Sequence, residues 1–259
     1  MNALYDSHCH LDAPEFDPDR PAVVARARAA GVHWQLVPAV TRDAWPRLRE
    51  ACALDPGLLP AYGLHPMFLD QHREEHLDEL SGWLARERPA AVGECGLDFF
   101  VEGLDPGRQR HFFLGQLALA RDFDLPVVLH ARRAVDEVIT HLRRTGGLRG
   151  VVHSWSGSEE QARQLFDLGF HLGIGGPVTF ERAQRLRRTV ASMPIEFMLL
   201  ETDAPDQPGA GHRGQRNEPA YLPEVLAVVA ALRGETPEAV ADATTANARR
   251  LFVRAPASA

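Results

Sequence analysis

The feature that most restricts this chain is its alternation. Short apolar runs recur roughly every 25 to 35 residues, and amphipathic stretches separate them. Runs at 3–8, 33–39, 58–63, 90–94, 126–130, 150–153, 171–174 and 195–201 read as strands. Helical patterns fall near 20–30, 42–53, 72–87, 107–123, 134–145, 158–168 and 179–191, with two more near 218–233 and 236–251. In the fourth of these, Phe113, Leu117 and Ala120 share one face. Ser158 precedes Glu159, Glu160 and Gln161, the signature of a helix start with acids in its first turn. Eight strands each followed by helix is the pattern of a single (β/α)8 TIM barrel, expected to span 1–259. A doubly wound open sheet shares the alternation. No glycine-rich phosphate fingerprint follows the first run, which disfavours it.

Composition enters as a set of exclusions. All 28 basic residues are arginine. Without lysine there is no Schiff-base or pyridoxal phosphate chemistry, and no carbamylated lysine can bridge two metals. A net charge of −7 is wrong for a general duplex binder. Contact with nucleic acid should be local, through a few arginines. The three cysteines (Cys9, Cys52 and Cys95) are few and odd in number, so no disulfide framework is expected and a reducing cytoplasm is the natural compartment. The N-terminus lacks signal-peptide character, and no apolar run is long enough to span a membrane. A monomer acting away from membranes is the expectation.

The unusual residues fall at one place on this map. His8 and His10 close the first run, Glu94 the fourth, His130 the fifth and His153 the sixth, and Asp203 follows the eighth. Carboxyl ends of barrel strands form one rim, where active sites sit. Two residues apart on an extended segment, His8 and His10 face one way and Cys9 the other. The same alternation sends Cys95 away from Glu94, so both cysteines read as packing residues. Four histidines and two carboxylates suit Zn²⁺, Mn²⁺, Ni²⁺ or Fe²⁺, and with water Mg²⁺. Six ligands exceed the needs of one catalytic ion with open positions. Two ions about 3.5–4 Å apart, sharing Glu94, fit better.

Any one of these residues, taken alone, is better explained as a capped or packed side chain. Their joint placement is what argues for chemistry. His72, His76, His111 and His141 fall in helical stretches and read as solvated, whereas His33 and His171 begin strands at the opposite rim. His65, in Gly63-Leu64-His65-Pro66, ends the third strand on the active rim and reads as a substrate contact. Trp155, beside a ligand strand, reads as core rather than as a base-stacking surface.

Several segments resemble signatures of the TatD family of metal-dependent hydrolases. They are His8-Cys9-His10-Leu11-Asp12, Gly63-Leu64-His65-Pro66, Gly93-Glu94-Cys95-Gly96-Leu97-Asp98 and Val152-His153-Ser154-Trp155-Ser156-Gly157-Ser158. Leu200-Glu201-Thr202-Asp203-Ala204-Pro205 and Arg216-Asn217-Glu218-Pro219 complete the set, which spans nearly the whole chain. Asp203-Ala204-Pro205-Asp206 and the GGPVTF stretch are most similar to the YjjV-type branch. The resemblance implies a TIM-barrel hydrolase, with deoxyribonucleases including 3′→5′ exonucleases among its members. It implies that His8, His10, Glu94 and Asp203 hold one metal, and that Glu94, His130 and His153 hold the second. It places His65 and Arg132 around the substrate phosphate. Ala131 departs from the serine common in the family after the strand-five histidine, and the loop 207–215 is less typical.

The expected reaction is hydrolysis of phosphodiester bonds at single-stranded DNA ends, or RNA ends, by a water activated with two divalent ions (Mg²⁺, Mn²⁺ or Zn²⁺). Asp203 would orient that water and shuttle its proton, with Glu94 as the shared ligand. Arg132 and Arg216 would clamp phosphate oxygens. Hydrolysis of a small amide, ester or lactone, deacylation of D-aminoacyl-tRNA, and a non-catalytic binding module are the competing expectations.

Overall fold

A computed structural model describes residues 3–252. Eight parallel strands pair in sequence order: β1 (Leu4–Asp6), β2 (Val32–Pro38), β3 (Leu58–Tyr62), β4 (Ala91–Asp98), β5 (Val127–Arg132), β6 (Gly150–Val152), β7 (Phe170–Ile174) and β8 (Met198–Leu200). The ring closes where the Ser7 N–H donates to the Leu200 carbonyl and the Asp203 N–H to that of His8, at 2.9 and 2.8 Å. Helices α1 (Arg20–Ala29), α2 (Trp45–Cys52), α3 (Glu75–Glu87), α4 (Pro106–Asp122), α5 (Val135–Thr145), α6 (Glu159–Asp167), α7 (Gln184–Ser192) and α8 (Leu222–Arg233) follow the strands, and α9 (Pro237–Phe252) comes last. This is the expected (β/α)8 TIM barrel.

The apolar pattern has two destinations. Tyr5, Leu36, Ala61, Ala91, Val128, Val151 and Leu199, one from each of seven strands, form a buried cluster with Leu251 and Phe252 of α9. A larger cluster joins the other strand faces to the helices, and Cys9 and Cys95 are buried in it as packing residues. Each fully buried side chain of Val or Leu size contributes about 1.5–3 kcal/mol. Ser158 caps α6 in a reciprocal capping box with Gln161, as the sequence indicates.

Several boundaries differ from expectation. β4 continues to Asp98 and β5 to Arg132, because their mutual pairing outlasts the apolar runs. Glu94 and His130 therefore sit within strands rather than at their ends. Residues 195–197 form a 3-10 turn, so β8 is short. The GGPVTF stretch makes a second such turn, and α7 starts later, at Gln184. His72 and His76 are buried, not solvated. The 3-10 turn Pro66–Gln71 folds back so that the His72 Nε2 donates to the His65 carbonyl at 2.8 Å.

Candidate metal centre

Alternation within strands carries the buried inner layer upward to the rim. Two residues beyond Val128 stands His130, and two beyond Val151 stands His153. Two and four beyond Ala61 stand Gly63 and His65; two and four beyond Leu199 stand Glu201 and Asp203. On β4 the same count from Ala91 would select Cys95. Instead the register shifts between Val92 and Cys95, and Glu94 rather than Cys95 joins the cluster. Gly93 permits the shift. Its φ is +149°, and a Cβ there would lie 2.7 Å from the Val128 carbonyl oxygen. At β1, Asp6 spans the end of the strand. Its Oδ1 accepts from the His8 and Thr202 N–H groups and its Oδ2 from the Thr202 hydroxyl.

The cluster turns on the Glu94 carboxylate. Its Oε1 faces His153 Nε2 at 2.8 Å, His65 Nε2 at 2.9 Å and His130 Nδ1 at 3.2 Å. Its Oε2 faces His8 Nε2 at 3.1 Å and His10 Nε2 at 3.4 Å. Asp203 Oδ1 joins the second set, 3.5 and 3.7 Å from the same two nitrogens. The His8 and His10 Nε2 atoms are themselves 3.1 Å apart. So each oxygen of one carboxylate has its own set of imidazoles. Glu94 Oε2 is buried and lacks a well-formed hydrogen bond despite these neighbours. Nitrogen and oxygen lone pairs crowded together this way fit a divalent cation better than a hydrogen-bond network.

Burial and charge oppose each other here. Burial alone would push the Glu94 carboxyl up, but His153, His65 and His8 together hold it well below the usual carboxylate range. Burial lowers His65 to about 4. His153 is also disfavoured as a cation by burial, yet Glu94, Asp203 and Glu201 outweigh that and raise it to about 10. Burial raises Asp203.

Surrounding residues fix the rings and loops. Asp98 Oδ2 meets His130 Nε2 at 2.8 Å, leaving Nδ1 for the centre. His10 Nδ1 lies 3.1 Å from the Pro38 carbonyl. Gln109 and Gln116, two turns apart on α4, each bind both polar groups of one residue's main chain. Gln109 accepts from the Asp98 N–H at 2.7 Å and donates to its carbonyl at 2.8 Å. Gln116 does the same for Leu64, at 2.7 and 3.0 Å. Glu201 is fully buried, its Oε1 3.8 Å from His153 Nδ1 and 2.5 Å from the Ser154 N–H. Gly173 leaves room for it: a Cβ there would sit 2.0 Å from Glu201 Oε2.

The structure thus brings His8, His10, Glu94, His130, His153 and Asp203 together, and adds His65 at ligand-like distance. Arg132 ends β5, paired in register with Asp98, and its guanidinium lies over the Phe100 ring. Arg216 is engaged elsewhere: it donates to both Asp19 oxygens and to the Glu15 carbonyl, and its guanidinium lies over Phe16. Trp155 is buried. The sequence alone assigns no role to Asp98, Glu201, Gln109 or Gln116. The first two stand inside the quoted motifs, and period two from Asp203 already points to Glu201.

A parallel barrel with a histidine–carboxylate cluster at its carboxyl rim is the architecture of a metal-dependent enzyme, and its relatives make it a hydrolase. Comparison makes this specific: residues 5–253 match the family model described as TatD related DNase, and the chain belongs to that family. It is 42% identical over 251 residues to the uncharacterized metal-dependent hydrolase YjjV of Escherichia coli K12, covering 95% of this chain and 96% of that protein. It is 36% identical to the 3′-5′ ssDNA/RNA exonuclease TatD of Cronobacter sakazakii, covering 97% and 98%. The crystal structure of the Escherichia coli YjjV TatD homologue superposes with a TM-score of 0.93 at 39% identity, covering 97% and 98%.

Proposed function

We propose that this hydrolase is a 3′→5′ exonuclease acting on single-stranded ends of DNA, and of RNA. The observation that carries the reading is the divided carboxylate of Glu94, with Oε1 facing His65, His130 and His153, and Oε2 facing His8 and His10. Such an arrangement suits a pair of divalent ions sharing one ligand, with His8, His10, Glu94 and Asp203 on one side and Glu94, His130 and His153 on the other. Bound there, the ions (Mg²⁺, Mn²⁺ or Zn²⁺) would polarise the phosphoryl oxygen and lower the pKa of the attacking water. The named function of the Cronobacter relative supports the choice of substrate.

The chain's own groups then have separable tasks. Asp203 Oδ2 accepts from Gln207 and its Oδ1 faces His8 and His10, which fixes the carboxylate in one orientation. It orients the attacking water and takes its proton. Arg132 supplies positive charge to the phosphate at the mouth of the site. His65 contacts the phosphate from the β3 side. Arg216, committed to Asp19, does not serve this purpose.

The test strips the protein with chelator, restores Mg²⁺, Mn²⁺ or Zn²⁺ separately, and adds 5′-labelled single-stranded DNA. The expected product is a ladder shortening from the 3′ end. Asp203→Asn should lose about 10²–10⁴-fold in kcat while remaining folded. A metal-loaded, folded wild-type protein that leaves the strand intact would overturn the nuclease reading and favour small-molecule or aminoacyl esters.

A further inference from the structure

Beside the centre, two guanidinium groups lie against one exposed aromatic ring. The central carbon of Arg132 is 3.7 Å from the Phe100 ring centroid, and that of Arg133 is 4.6 Å away. Phe100 is 43% exposed, one of few large apolar side chains left to solvent. Consecutive residues of a strand normally point to opposite sides. Arg133 takes φ +54°, the left-handed region, and this break lets both arginines reach one ring. Arg26, Arg110 and Arg216 are tied to carboxylates. Arg132 and Arg133 have no ion pair among the described residues, so their charge is available to a ligand.

This ring is also indexed to the metal centre. Asp98 Oδ1 accepts from the Phe100 and Val101 N–H groups at 2.8 and 2.9 Å, while its Oδ2 holds His130. One carboxylate thus fixes both a ligand ring and the aromatic platform. A groove of about 480 Å³ adjoins Arg133; Phe99, Ser156, Gly157 and Arg185 line it together with Asp136 and Glu137, the latter paired with Arg110.

We infer that Phe100, flanked by Arg132 and Arg133, is a stacking subsite for the nucleotide preceding the scissile phosphate, and that the groove receives the strand beyond it. This rests on the nuclease reading above. Every base has a π-face, so a phenyl platform binds single strands with little sequence preference. A guanidinium that yields the ring face to a base can pair with the adjoining phosphate. A small ester would reach only the metal centre, so this platform matters only for a polymer.

The test compares wild type, Phe100→Ala, Phe100→Tyr and Arg133→Ala on bis(4-nitrophenyl) phosphate, a dinucleotide and a decanucleotide. It measures kcat and KM separately and checks bound metal in each variant. Phe100→Ala should raise KM for the decanucleotide by about 10- to 100-fold relative to its change on the small diester. The dinucleotide already supplies the stacked nucleotide and should show most of that penalty, and Phe100→Tyr should restore most of the loss. Arg133→Ala, which alters the groove lining, should bring a loss that grows with strand length. An equal effect on all three substrates, or none on the decanucleotide, overturns the subsite. If wild type degrades the decanucleotide and Phe100→Ala does so equally well, the subsite alone falls. If wild type hydrolyses the small diester but no oligonucleotide, the nuclease reading falls and takes the subsite with it.

Discussion

The barrel buries two kinds of histidine. His72 and His76 flank the start of α3 and are each 1% exposed, as deeply buried as the rim histidines His65 and His153. One ring nitrogen of each meets backbone: His72 Nε2 donates to the His65 carbonyl, and His76 Nδ1 accepts from the Arg73 N–H. Burial lowers the pKa of both, so they are held as neutral, local struts. At the rim, five imidazoles instead converge on the two oxygens of Glu94. Two oxygens cannot satisfy five rings as ordinary hydrogen-bond partners. Burial therefore does not distinguish a functional histidine here. Convergence on a shared carboxylate does.

The contrast can be broken by substitution at each of its parts. Glu94→Gln should have the largest effect, since an amide supplies neither the shared negative charge nor two equivalent acceptors. Hydrolysis should fall at least about a thousandfold, with matching loss of bound metal by elemental analysis. Retained metal with full turnover would remove Glu94 from the centre. Asp98→Asn acts through His130. An amide nitrogen facing Nε2 would make that nitrogen the acceptor and put the ring proton on Nδ1, the atom that faces Glu94. Metal affinity should drop about 10- to 100-fold in a chelator competition. An unchanged affinity would mean the ring needs no orienting partner. His76→Ala should be the mildest, costing about 1–3 kcal/mol of unfolding free energy in a denaturant titration while metal binding stays the same. A loss of metal in that variant would erase the distinction between struts and ligands.

Much of this was legible because period and position coincide. The alternation of runs defines the barrel, and the carboxyl ends of the apolar runs point to His8, His10, Glu94, His130, His153 and Asp203 as one group. The illegible parts depend on local departures from period. Glu94 joins the cluster only through the register shift permitted by Gly93, which a strict count from Ala91 would miss. Gln109 and Gln116 look like ordinary polar helix residues until Asp98 and Leu64 are seen to offer main-chain groups to them. His72 and His76 read as solvated because a 3-10 turn, not a helix, precedes them and folds them inward. Arg216 carries the right charge, but both of its terminal nitrogens are engaged by Asp19.

If two divalent ions share Glu94 as proposed, each takes one of its oxygens. Anomalous diffraction from crystals soaked in Mn²⁺ should then show two peaks about 3.5–4 Å apart, one beside Oε2 with His8, His10 and Asp203, the other beside Oε1 with His130 and His153. A single peak at saturating Mn²⁺, or peaks that do not flank Glu94, would contradict that sharing.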